Sequence, residues 1–130
     1  MKASDNSLER KFIQVAATLG FLAVAFGAFG AHALKTSLPS SGLEVWKTAV
    51  FYQLTHAIVL LIVAAAGQRL SRLWRIWSLR LFTLGVVLFS GSLYLLTLSQ
   101  LKWLGMITPV GGLLLLAAWL CVFIGAFRRV

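Results

Sequence analysis

His32 and His56 are the two side chains of this chain whose ordinary titration range lies near neutral pH, and His56 does not stand alone. Trp46, Lys47, Thr48, Tyr52, Gln53 and Thr55 precede it at the head of one apolar segment. Tyr52 lies four residues and Gln53 three residues before His56, so all three share a face if the segment is helical. In hydrocarbon each such group needs a partner from the protein, because lipid offers none. Ser90, Ser92 and Tyr94 in a later apolar run are candidate partners, and His32 closes the first run. His32, Tyr52, Gln53, His56, Ser90, Ser92 and Tyr94 therefore form the candidate polar cluster or binding site.

The types and spacing admit three chemistries. One is a hydrogen-bond network that fixes helix register; another is a site for a small molecule, a lipid or a proton, since an ionisable intramembrane group is a default functional candidate. The third, metal or haem ligation, is disfavoured. The two histidines lack nearby acidic or thiolate partners, and a bis-histidine haem needs both rings at similar depth, whereas His32 is expected to be shallower than His56. No metal and no cofactor are expected. Nor is an enzyme: the apolar runs hold no Asp or Glu, and no serine sits in a nucleophile motif beside a base. Cys121, inside the last run, has no second cysteine to pair with and reads as a packing residue.

The elements that must position these residues follow from composition. The chain is 60% hydrophobic and 12% charged, with four long apolar runs in 130 residues, far too little polar surface for a soluble domain. It reads as a single all-α membrane domain over residues 1–130, a four-transmembrane-helix up-and-down bundle with spans at about 12–34, 45–67, 77–99 and 108–127. Asn6 with Glu9, and Ser41 with Glu44, have capping-box spacing and are expected to start helices one and two. The first run is too long for a signal peptide, whose apolar core is usually about 7 to 15 residues, and is expected to be retained.

Ala16, Gly20, Ala23, Gly27 and Ala31 recur three or four residues apart, a small-residue stripe suited to close helix approach. Gly30, Gly91, Pro109, Gly111 and Gly112 are further packing candidates, with Ser90-Gly91-Ser92 read as a close-packing notch. Thr108-Pro109 has the form of an N-cap followed by proline at the first helical position. Trp46 and Lys47 are expected at the interface, which sets His56 on the order of 10 to 15 Å below it and collects the polar groups in the outer half of the bundle.

The formal charge of +9 does not point to nucleic acid, because the basic residues sit at helix ends rather than along one face. They read as topology signals. Lys2, Arg10, Lys11, Arg69, Arg72, Arg75, Arg80, Arg128 and Arg129 fall on the side of the termini and middle loop, nine against three for Lys35, Lys47 and Lys102. The excess predicts cytoplasmic N and C termini. The partners expected are the lipid bilayer and either a second copy of the chain or another membrane protein.

Four motifs carry a resemblance across nearly the whole chain: Gly27 to Leu34, then Thr48-Ala49 with Tyr52-Gln53 and His56-Ala57, then Phe89 to Tyr94, then Thr108 to Gly112 with Trp119. In this order and spacing they resemble the YgdD-like family of small uncharacterised membrane proteins, with Val110 a conservative fit at an aliphatic position. The resemblance implies a multi-pass protein of the bacterial inner membrane, related to small eukaryotic membrane proteins, and no established reaction. The function expected is a structural or accessory membrane component, with a transporter-like use of the polar cluster for a small molecule, lipid or proton as the alternative.

Overall fold

A computed structural model describes residues 2–127, with side chains from residue 4 onward. Arg128, Arg129 and the side chain of Lys2, counted in the charge reading, lie outside the described side chains. The described residues are almost entirely helical: α1 spans Lys2–His32, α2 Ser40–Ala65, α3 Arg72–Ser99 and α4 Thr108–Phe127. Short 3-10 turns at Gly67–Arg69 and Lys102–Met106 lead into α3 and α4. All four long helices are long and apolar enough to cross a membrane. At 1.5 Å per residue the shortest, α4, is about 30 Å long and α1 about 46 Å, so α1 exceeds the hydrocarbon thickness.

The helices alternate in direction, and the ends of the structure are identified by their contacts. Arg72 and Arg75 at the start of α3 meet Asp5 and Glu9 near the start of α1, while the Ser71 amide donates to the Gly125 carbonyl near the end of α4. We call this the arginine end. At the opposite end, Ser92 of α3 meets Thr108 at the start of α4. The packed neighbours are α1 with α2, α2 with α3 and α3 with α4. The two inner helices therefore carry the structure, and α1 and α4 flank them.

A core of Ala16, Leu60, Val63, Ala64, Leu79, Phe82, Val86, Leu115 and Ala118 joins all four helices. Small residues permit the close approaches. The α1 stripe packs on α2 through Ala16, Ala23 and Gly27, but its last member is Gly30 rather than Ala31, which is exposed. Gly30 lies against the Cδ1–Nε1 edge of the Trp46 indole, and a Cβ there would stand 2.6 Å from both atoms. Gly85 accepts Leu115, and Gly111 lies against the Phe89 backbone, where a Cβ would stand 2.8 Å from Phe89 Cα.

Other expected packing positions differ. Gly91 faces no neighbour within 4 Å, so Ser90-Gly91-Ser92 is not a notch; the notch in α3 is at Gly85, two turns earlier. Gly20 and Gly112 make ordinary contacts, with Ala57 and Phe89, and Pro109 is exposed. Neither capping box forms. α1 already runs from Lys2 through Asn6, and its Glu9 reaches across to Arg75 instead. α2 starts one residue before Ser41, with Pro39 at its N-cap, and Glu44 turns outward to Lys47 at 3.3 Å.

Candidate functional site

The polar side chains of the bundle interior resolve into separate sets rather than one cluster at one depth. The largest is centred on Gln53, which is 3% exposed. Its Nε2 donates to the Leu19 carbonyl of α1 at 2.9 Å, and its Oε1 accepts from the Tyr94 hydroxyl of α3 at 2.7 Å. One amide thereby ties three helices. Gln53 lies 13 residues into α2, and Tyr94, five residues before the end of α3, points back toward the start of its helix, as helical side chains do. That tilt brings the hydroxyl to the amide.

Trp46 completes this set from two turns nearer the end of the bundle. It is 3% exposed, and its Nε1 donates to the Phe26 carbonyl of α1 at 2.8 Å. Its ring packs against Tyr94 with centroids 4.6 Å apart, and Phe26 meets both rings, edge-on to Tyr94 at 5.0 Å. Trp46 is thus not an interfacial anchor. The absence of a side chain at Gly30 leaves the space that draws its indole inward; its neighbour Lys47, on another face, is exposed.

His56 belongs to a different set, between α2, α3 and α4. It lies 16 residues into α2 and nine from its end, roughly 24 Å from Ser40 along the axis, so it is past the middle of the helix and not in the half nearer Trp46. Its Nδ1 stands 2.8 Å from the Tyr52 carbonyl, and its Nε2 3.4 Å from the Trp119 Nε1. The chemistry of these partners fixes the tautomer. A carbonyl only accepts, so Nδ1 carries the proton; an indole N–H only donates, so Nε2 offers its lone pair. Both nitrogens are used within the protein.

Aromatic rings surround it: Tyr52 stacks at 5.9 Å, and Phe82 and Trp119 lie within 6.3 Å. Two walls of this set reach the molecular surface, because Tyr52 is 37% and Trp119 47% exposed.

The remaining candidates are scattered. Ser90 donates to the Ala49 carbonyl at 2.8 Å and joins α3 to α2. Ser92 is bonded to Thr108 at 2.6 Å and joins α3 to α4. His32 takes no part. Gly30 faces α2, and two residues further round a helix is about 200°, which turns His32 to the exposed side. The chain then bends so that Leu34, not His32, is buried.

Sequence reasoning passed over one further polar group. Arg75, read as a topology charge, is only 6% exposed; its guanidinium bonds Glu9 at 2.6 Å and the Ala64 carbonyl at 3.3 Å. Arg72 and Asp5 pair beside it at 2.6 Å. The signal was present: Asp5 and Glu9 are four apart, Arg72 and Arg75 three apart, so each pair occupies one helix face. Among the described residues, Arg75 Nε is the sole buried side-chain polar atom without a hydrogen-bond partner.

Residues 26–112 match the family described as "Protein of unknown function (DUF423)". The chain belongs to this family. The matched region begins at Phe26, whose carbonyl receives the Trp46 bond, and takes in Gln53, His56 and Tyr94, but stops before Trp119. The chain is 44% identical over 113 residues to the UPF0382 inner membrane protein YgdD of Escherichia coli (strain K12), covering 87% of this chain and 86% of that one. It is 41% identical over 118 residues to the UPF0382 membrane protein YwdK of Bacillus subtilis (strain 168), covering 90% and 96%. A UPF0382 membrane protein of Staphylococcus haemolyticus is 43% identical over 121 residues, covering 92% and 97%. No solved structure matches the chain. The family assignment expected from the four motifs therefore holds, and with it a membrane protein of unestablished activity.

Proposed function

We propose that this protein is a structural or accessory component of the bacterial inner membrane, a rigid four-helix unit that packs with a membrane-protein partner or a second copy and carries out no chemistry of its own. The observation that carries this reading is Gln53. The nitrogen of this buried amide donates to α1 and its oxygen accepts from α3, so the side chain is turned to bonds between helices rather than toward an open site. Interhelical bonds of this kind contribute about 0.6 to 2 kcal/mol each in bilayers, and leaving the groups unpaired in hydrocarbon costs more. Structure alone accounts for their presence.

The charge asymmetry of nine against three supports N and C termini on the cytoplasmic face, and the inner-membrane name of the E. coli relative supports the compartment. The test is crosslinking in native membranes followed by capture in mild detergent. A discrete crosslinked species, hetero- or homo-oligomeric, is expected; its absence, together with solute flux or lipid scrambling by the purified protein in liposomes, would overturn the reading. A reporter fused to the C terminus is expected inside.

A second reading rests on the His56 set, where the long bond to Trp119 and the partial exposure of Tyr52 and Trp119 describe a less closed arrangement. There a proton or small molecule would compete with the Trp119 indole for His56 Nε2. Under that reading His56→Gln abolishes a pH-dependent phenotype or ligand shift while the protein still folds; under the leading reading it changes neither.

A further inference from the structure

We infer that Arg80, with Trp77, forms a binding site for the headgroup phosphate of an anionic phospholipid. Leu73, Trp77, Arg80, Leu84 and Val87 are exposed at helical spacing and make up the outward stripe of α3. In a protein of this family that stripe faces lipid. Arg80 is its one charged member.

Its depth follows from the chain. Leu81 to Ser99 contains no charged residue, a length of about 28 Å, close to the hydrocarbon thickness of about 30 Å. Arg80 therefore stands where the hydrocarbon begins. Helical side chains lean toward the start of their helix, and the guanidinium accordingly lies over the Trp77 ring one turn back, 5.8 Å from its centroid. This holds the cation at the level where tryptophan prefers the interface.

Among the described residues nothing neutralises it. Arg72 and Arg75 on the same helix each have a carboxylate at 2.6 Å, yet among the described residues Arg80 meets no carboxylate, and its N–H groups donate to no acceptor. The third acid, Glu44, pairs with Lys47 on α2. A guanidinium presents five donors in a planar fork that matches two phosphate oxygens, and at this position a lipid headgroup is what supplies them. The negative charge complements the cation, and the Trp77 ring beside it offers an apolar surface for the adjoining lipid chain.

The proposal is independent of the function proposed above and of the orientation of the chain. It is tested by reconstituting the protein into nanodiscs of equal parts phosphatidylglycerol and phosphatidylcholine, extracting it into mild detergent, and counting retained lipids by native mass spectrometry. Wild type is expected to retain phosphatidylglycerol about fivefold over phosphatidylcholine, the scale of one basic side chain at an anionic surface. Arg80→Gln should lose that enrichment while its unfolding midpoint in SDS stays at the wild-type value. Arg69→Gln, which removes an exposed cation elsewhere at the arginine end, should keep it, and excess inorganic phosphate should not displace the lipid. Equal retention of the two lipids by wild type, enrichment that survives Arg80→Gln, enrichment lost equally in Arg69→Gln, or displacement by free phosphate would each overturn the proposal.

Discussion

Gln53 and His56 are one helical turn apart on α2, yet they sit in opposite kinds of surroundings. Gln53 looks toward α1 and α3, where every polar atom of the set is bonded between 2.7 and 2.9 Å and the rings of Trp46, Tyr94 and Phe26 close over it. His56 looks toward α3 and α4, where its bond to Trp119 is 3.4 Å long and two surrounding rings reach the surface. The difference shows how one polar helix serves two purposes. Its α1 side works as a lock, because the amide nitrogen bonds one neighbouring helix and the amide oxygen another. Its α4 side is held by one longer bond and by rings that reach the surface.

The sharpest way to break the comparison is to remove one large ring from each side. Trp46→Ala deletes a fully packed indole and its bond to Phe26, and is expected to lower stability by on the order of 3 kcal/mol in SDS-titrated unfolding. Trp119→Ala removes a ring already half exposed and should lose less than half as much. Comparable losses at the two sites would erase the distinction. Next in size is Gly111→Ala, whose Cβ would meet the Phe89 backbone; overpacking there should cost about 1 to 3 kcal/mol by the same assay.

His56→Gln is expected to cost under about 1 kcal/mol, the scale of one weak interhelical bond. A loss as large as that of Trp46→Ala would make His56 part of the lock. At the bottom of the range, Gly91→Ala should be neutral or stabilising by up to about 1 kcal/mol, since the new methyl meets nothing within 4 Å and alanine favours the helix.

Much of this architecture was legible in the chain. Four apolar runs gave four helices, and the residues that make up the polar sets were recognisable because polar groups in such runs need partners. Their partners were not recognisable. Tyr52, Gln53 and His56 share a face by spacing, but a helix face is wide enough to touch two neighbours, and spacing does not tell which side chain turns to α1 and which to α4. Trp46 was misplaced because tryptophan favours interfaces on average, and only the proximity of Gly30 reveals the slot that takes it in. The capping boxes failed for a related reason. They are local signals, and Glu9 is drawn instead to a buried arginine 66 residues away in the chain. Gly91 and Gly85 are equally small, and their different roles depend on which turn of α3 faces α4.

The central claim is that Gln53 and Tyr94 lock three helices, and a double-mutant cycle on Gln53→Leu and Tyr94→Phe in SDS-titrated unfolding tests it most directly. The two changes remove the donor and the acceptor of one bond at 2.7 Å. A coupling energy of about 1 kcal/mol is predicted, with the double variant less destabilised than the sum of the singles. Strictly additive losses, with no coupling between the two sites, would contradict the account.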